Sequence, residues 1–163
     1  MTSKTKIIKS HAALKRIVLR LQKKGKKVAF TNGCFDILHF GHVSYLEEAK
    51  KPGRVLIVGL NSDASVRKIK GPKRPIVSQG ERARVMAGLS CVDFVTIFNE
   101  ETPYDLIKTL TPDILIKGAD WKGKKIAGAD IVSARGGKVE FIKYVKHFST
   151  TNIIKAIVTK CAK

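Results

Sequence analysis

Apolar residues along this chain fall into two patterns that alternate from one end to the other. Leu14, Ile17, Val18 and Leu21 recur at helical spacing behind Ser10, a good capping residue, and Gly25 closes the segment. Residues 27–31 form a short apolar run bounded by Asn32-Gly33, the pattern of a buried strand. Further helices are predicted over 42–50, stopped by Pro52-Gly53, over 80–89, and from Thr102-Pro103 to Leu110 with proline at the first helical position. A short helix is predicted within 126–134, before Gly136-Gly137. A last one runs from a Ser149 or Thr150 cap to Lys160, with Ile153, Ile154, Ile157 and Val158 facing inward. Strands are predicted at 55–60, 92–98, 113–117 and 139–142. The basic stretch 68–78, with Gly71, Pro72 and Pro75, and the polar, glycine-containing stretch 118–125 read as loops.

Strands that are apolar throughout, separated by helices, specify a parallel sheet covered on both faces. The expected fold is α/β, a Rossmann-like doubly wound parallel sheet of about five strands. It forms a single domain over 1–163, with 1–25 as N-terminal helix and tail and 26–160 as core. Ligands of such sheets bind beyond the carboxyl ends of the strands, at a switch in strand order. Three polar strand ends become candidates: residues 32–42, 61–63 and 117–121.

Composition changes this picture only at its edges. With 163 residues, 44% hydrophobic and 28% charged, the chain suits one folded domain. It has no run of about 18 apolar residues, and residues 1–9 lack the apolar stretch of a secretory signal. Cys34, Cys91 and Cys161 are scattered and odd in number, which suits a reducing compartment, so the expected location is cytoplasmic. A formal charge of +19, from 32 Lys and Arg against 13 Asp and Glu, favours anionic partners without selecting one; a lysine-rich solvated surface accounts for it equally well.

The chemistry concentrates at His39-Phe40-Gly41-His42, between a strand and a helix start. Unpaired backbone N–H groups and the positive end of the helix dipole suit phosphate there. Gly33 and Gly41 allow close approach, and histidines three residues apart can both face one phosphate. A zinc pair is the competing reading, but no third ligand stands at the usual spacing; a purely structural pair is another. Neither a P-loop nor a dinucleotide fingerprint is present, which removes the usual support for kinase and dehydrogenase readings.

The stretch Thr31-Asn32-Gly33-Cys34-Phe35-Asp36-Ile37-Leu38-His39-Phe40-Gly41-His42 resembles the signature of the cytidylyltransferase-like nucleotidyltransferase superfamily. Four further segments agree with it: 59–63; 70–75 followed by Glu81-Arg82-Ala83; 116–121; and Ser149-Thr150-Thr151. Within the superfamily the chain is most similar to stand-alone adenylyltransferases that make ADP-heptose from heptose 1-phosphate. The pattern Asn-Gly-Cys-Phe-Asp-Ile-Leu-His, the Asn61-Ser62-Asp63 strand end and the run from Ser149 to Ile154 point there.

The resemblance implies transfer of AMP from ATP, with magnesium bound mainly through the triphosphate, and a substrate phosphate oxygen as nucleophile. It implies that His39 and His42 stabilise the transition state, with Lys70 and Arg82 clamping phosphates. Asn32, Gly33, Cys34, Phe35, Gly41, Lys117, Gly118, Asp120, Ser149, Thr150 and Thr151 would line the nucleotide. Asp36, Asn61, Asp63, Arg74 and Trp121 would lie toward the acceptor, although Asp36 equally suits ordering its loop and Asn61 and Asp63 suit a turn. No protein-held metal is implied. The partners implied are small molecules, ATP and a sugar 1-phosphate, and a second copy of the chain in a homodimer; neither membrane nor nucleic acid is expected. The chain departs from the pattern at His147, where the heptose enzymes usually carry glycine. Residues 144–146 lack the arginine of the glycerol-phosphate cytidylyltransferases. A CTP-dependent glycerol 3-phosphate enzyme, FAD-synthetase-like adenylyl transfer and a non-catalytic basic RNA-binding module are the competing readings.

Overall fold

A computed structural model describes residues 2–143, 145 and 148–161. Five parallel strands, β1 (Lys27–Gly33), β2 (Arg54–Asn61), β3 (Phe94–Phe98), β4 (Ile114–Gly118) and β5 (Lys138–Ile142), form one sheet in the order β3-β2-β1-β4-β5. The chain builds outward from β1 to one edge, then returns to β4 and builds to the other. The switch in strand order therefore falls between β1 and β4.

Alternate strand residues feed two cores. On one face Ala29, Leu56, Val58 and Leu60 pack under α3 (Phe40–Ala49) and α5 (Gln79–Gly88), through Tyr45, Leu46, Ala83 and Met86. On the other, Val28, Phe30, Ile57 and Leu115 pack under α2 (His11–Lys23), α6 (Tyr104–Leu110) and α7 (Ala129–Ala134), through Leu14, Val18, Leu106, Ile107 and Val132. Both cores are closed by helices, as apolar strands require.

The predicted strands and most helices are present, with shifted ends. Ser10 caps α2 by accepting from the Ala13 N–H. Pro103 caps α6 instead of occupying its first turn. Three expectations are corrected. The segment at 61–63 is a helix start: the Ser62 hydroxyl accepts from the Ser65 N–H and opens α4 (Asp63–Lys70), so residues 68–70 are helical and the loop begins at Gly71. A short α1 (Ser3–Lys6) precedes α2, and Ile7 beyond it bridges Val95 in parallel, covering the β3 edge. In α8 (Thr150–Cys161), Ile153 and Ile154 are half-buried, but Ile157 and Val158 are 52% and 60% exposed.

Gly59 shows how tightly β2 is sandwiched. A β-carbon there would lie 2.6 Å from Phe30 Cζ and 3.3 Å from Leu106 Cδ2. Gly59→Ala should therefore destabilise the fold by about 1–3 kcal/mol. That lowers Tm by about 2–4 °C per kcal/mol for a chain of this size. A thermal melt reads the change, and an unaltered Tm would show that β2 has slack.

Candidate active site

β1 and β4 pair only at Ala29↔Ile114 and Phe30↔Leu115, yet β1 continues to Gly33 and β4 to Gly118. The strands part at their carboxyl ends, and the candidate residues gather around this gap. Lys117 Nζ donates to Asn32 Oδ1 across it at 2.5 Å. Burial lowers the Lys117 pKa to about 8 against the pull of Asp120. Its ammonium also stands 5.1 Å from the centroid of the Trp121 ring, a cation–π contact at the rim. Gly118 is buried at the strand end, and Asp120 is exposed in the following turn (Ala119–Trp121).

The loop after β1 is held from beneath. Phe35 has a left-handed backbone (φ 45°) and folds its ring toward Gly33, where a β-carbon would come within 2.8 Å of it. Asp36 is buried and accepts from the Ile76 and Val77 N–H groups and from Arg74 Nε. Burial alone would raise its pKa, but those donors hold it below the usual carboxylate range. These contacts tie Asp36 to its loop, with Arg74 as its partner.

Arg82 is 1% exposed. Its guanidinium donates to the Asp63 carboxylate at 2.7 Å, the Cys34 carbonyl at 2.5 Å and the Val77 carbonyl at 2.9 Å. Arg82 is thus held inside the protein, where it braces the Cys34 backbone. Asp63 and Asn61 likewise face inward, Asp63 to Arg82 and Asn61 to Ser65 Oγ. Lys70 remains exposed near the loop; with Arg82 and Arg74 it offsets the burial that pushes the Cys34 thiol up. A raised thiol pKa does not favour the thiolate at Cys34.

His39 is the N-cap of α3 and His42 lies in its first turn. Their rings stack, with centroids 3.7 Å apart and planes 19° from parallel, while the Phe35 ring meets His42 edge-on at 5.1 Å. Both Nδ1 atoms are buried and lack a hydrogen-bond partner among the described residues. Buried polar atoms are nearly always satisfied, so these two point to a ligand. The start of α8 lies alongside. Ser149 Oγ accepts from the Asn152 N–H, Thr150 Oγ1 donates to the Ile37 carbonyl at 3.5 Å, and Thr151 is exposed in the same turn. Two helix N-termini therefore meet at one loop, and both favour an anion. His147 lies outside the described residues, as do Tyr144 and Lys146. Sequence reasoning missed Gln79, whose Oε1 accepts from the Asp63 N–H, and Tyr45, whose hydroxyl pairs with Thr31 Oγ1. Tyr45 lies within the helix predicted over 42–50 and belongs to none of the motifs. Two basic clefts of about 510 and 560 Å³ sit at the opposite, amino-terminal ends of the strands and share none of these residues.

The parallel sheet, its switch point and the histidine pair at a helix start make this end of the sheet suited to phosphate. Residues 30–156 match the Cytidylyltransferase-like family model, and the chain belongs to that family. It is 51% identical to the bifunctional protein HldE of Geotalea uraniireducens over 96% of this chain and 32% of that protein. Its identity to HldE of Campylobacter jejuni subsp. doylei is 59%, over 86% and 30%. The chain thus spans about a third of these curated relatives. The crystal structure of the lipopolysaccharide core biosynthesis protein from Thermoplasma volcanium GSS1 superimposes with a TM-score of 0.60 at 29% identity, covering 75% of this chain and 98% of that one.

Burial, with His39 adding to it, lowers the His42 pKa from 6.5 to about 4, and burial lowers His39 too. Both rings are therefore neutral at pH 7. Between pH 6.5 and about 4 the native state binds fewer protons than the unfolded chain, so stability from His42 falls as pH falls through that window. An anion against the rings favours imidazolium and reverses the shift. Tripolyphosphate binding at pH 6 should take up protons, read by calorimetry in buffers of different ionisation enthalpy, and His42→Asn should reduce the uptake. Equal proton uptake by the wild type and His42→Asn would show that the anion sits elsewhere.

Proposed function

We propose that this chain transfers AMP from ATP to a heptose 1-phosphate, giving ADP-heptose and pyrophosphate. The observation that carries the transfer is the stacked histidine pair, with unsatisfied nitrogens, where the N-termini of α3 and α8 converge. The acceptor rests on the likeness to ADP-heptose-forming adenylyltransferases and on the identity to HldE proteins across most of this chain.

The acceptor's phosphate oxygen is already anionic at neutral pH, so no general base is needed. It attacks the α-phosphorus in line. A new P–O bond forms, the bond to the β-phosphate oxygen breaks, and pyrophosphate leaves with the electron pair. The protein's work is to align two anions and to answer the charge that builds on the α-phosphate. His39 and His42 donate to those oxygens. The start of α8, with Ser149, Thr150 and Thr151, receives the β- and γ-phosphates, and Lys70 adds positive charge at the loop. Lys117, Gly118 and Asp120 edge the ribose. Trp121 stands at the rim nearest the acceptor. Among the described residues no three His, Cys, Asp or Glu side chains group to hold a metal. In this reading magnesium enters on the triphosphate, as part of the substrate.

The chain works as a homodimer in this reading, supported by the exposed Ile157 and Val158 on α8. Its place is the cytoplasm, which suits its free cysteines. Among the described residues no helix is long and apolar enough to cross a membrane.

A pyrophosphate-release screen of nucleoside triphosphates against phosphorylated acceptors tests the activity. ATP with heptose 1-phosphate and magnesium should turn over; turnover only with CTP and glycerol 3-phosphate would overturn the heptose assignment. His39→Ala or His42→Ala should lower kcat by about 10²-fold or more, and an unchanged kcat would remove their role. For the dimer, light scattering should give twice the monomer mass, with Ile157→Lys plus Val158→Lys returning it to one; a monomeric wild type would refute the assembly.

A further inference from the structure

Two aromatic rings that the transfer chemistry does not use stand beside the histidine pair. Phe40 and Phe148 are 55% and 48% exposed, and their rings meet edge to face with centroids 5.2 Å apart. Water penalises such apolar surface, and a paired patch of it marks a place where something binds. Phe40 is the first residue of α3, between His39 and Gly41, and Phe148 directly precedes Ser149. A β-carbon on Gly41 would lie 3.1 Å from Phe148 Cβ and 3.3 Å from the His39 ring. Phe148 thus packs on the same backbone that carries the histidines, and the ring pair spans the two helix starts where the phosphates are gathered.

Resting on the nucleotidyl-transfer reading above, we propose that Phe40 and Phe148 form the platform for the nucleobase of the triphosphate. The occupant follows from position and chemistry. A nucleoside triphosphate carries its charge at one end and a flat heteroaromatic ring at the other. The imidazoles and helix starts take the charged end, and the apolar surface continuous with them is this ring pair. A base stacks on an aromatic side chain whatever hydrogen-bonding edge it presents. A sugar phosphate, puckered and covered in hydroxyls, stacks less of its surface on two phenyl rings than a flat base does. The base therefore lies on the aromatic side of the site and leaves the acceptor to the polar side. A purine covers more of the platform than a pyrimidine, so the rings favour ATP over CTP.

Calorimetry with three ligands tests this: an ATP analogue whose α–β bridge is a methylene, the matching CTP analogue, and inorganic tripolyphosphate, which has no base. Phe148→Ala and Phe40→Ala should each weaken the ATP analogue about tenfold, the range expected for losing one stacking partner. Phe148→Trp should retain tight binding. Tripolyphosphate affinity should change less than twofold, and the preference for the ATP over the CTP analogue should shrink in both alanine variants. Both side chains are half exposed, so the variants should fold, which circular dichroism checks. Equal losses for tripolyphosphate and the ATP analogue would reduce Phe148 to a prop for α8 and overturn the platform, as would no loss at all. Wild-type protein that binds tripolyphosphate and the ATP analogue equally well also overturns it. Wild type that binds neither overturns the nucleotidyl-transfer reading instead.

Discussion

The stacked imidazoles keep their place because the loop leading to them is pinned by two charged contacts withdrawn from solvent. Asp36 anchors one side of the loop to Arg74 and the 76–77 backbone; Arg82 anchors the other by holding the Cys34 carbonyl against Asp63 and Val77. Neither the Asp36 nor the Arg82 side chain has measurable exposure. Losing one partner of such a pair costs about 3–5 kcal/mol, because the other charge stays buried alone. That penalty makes the loop a rigid part of the sheet's rim. It also lets Phe35 sustain a left-handed backbone, which a bulky residue adopts only where its surroundings over-determine it. His39 and His42 inherit this rigidity from residues that need not touch substrate.

Placing the site at the β1–β4 gap is a second consequence of packing. The two strands share only two paired positions, so their carboxyl ends spread, and Lys117 and Asn32 span the opening. A buried lysine with a lowered pKa is costly, and the Asn32 oxygen and the Trp121 ring compensate only in part. An anionic or hydroxyl-rich ligand at the gap would complete the compensation. The few acids of this basic chain serve the opposite purpose. Asp36, Asp63, Asp93 and Glu140 each hold a cation within the structure, which leaves the excess of +19 to the surface.

The sheet was legible because its strands are apolar runs bounded by turn residues, and no other layout buries both faces. The helix α4 was not, because Asn61-Ser62-Asp63 is equally good turn chemistry and capping chemistry, and a basic run ending at Gly71 looks like a loop. Periodicity marked the apolar side of α8 but cannot say what covers it, so Ile157 and Val158 were expected inside. At the site, the histidines and the Ser149–Thr151 turn were readable from motif and position. Arg82 and Asp36 were not readable in full. A charged residue near a phosphate motif suggests a ligand contact, and only the three acceptors around Arg82 show a brace. Phe40 stood at a position of no evident meaning until Phe148, over a hundred residues away in sequence, was found against it.

Neutral histidines look mismatched to the phosphate role proposed for them, but their stacking makes the neutral state the sound one. Two imidazolium rings 3.7 Å apart would repel strongly in a buried setting, and burial already holds His42 at about 4. An empty site with permanent positive rings would therefore strain the loop that Arg82 and Asp36 stabilise. Neutral rings still donate N–H groups, and the helix starts supply fixed positive potential without titrating. When an anion arrives, its charge offsets the repulsion and protonation becomes favourable, so the site's positive charge rises with occupancy. In the proposed transfer that response would be greatest where charge gathers on the phosphate, and it costs the unliganded fold little.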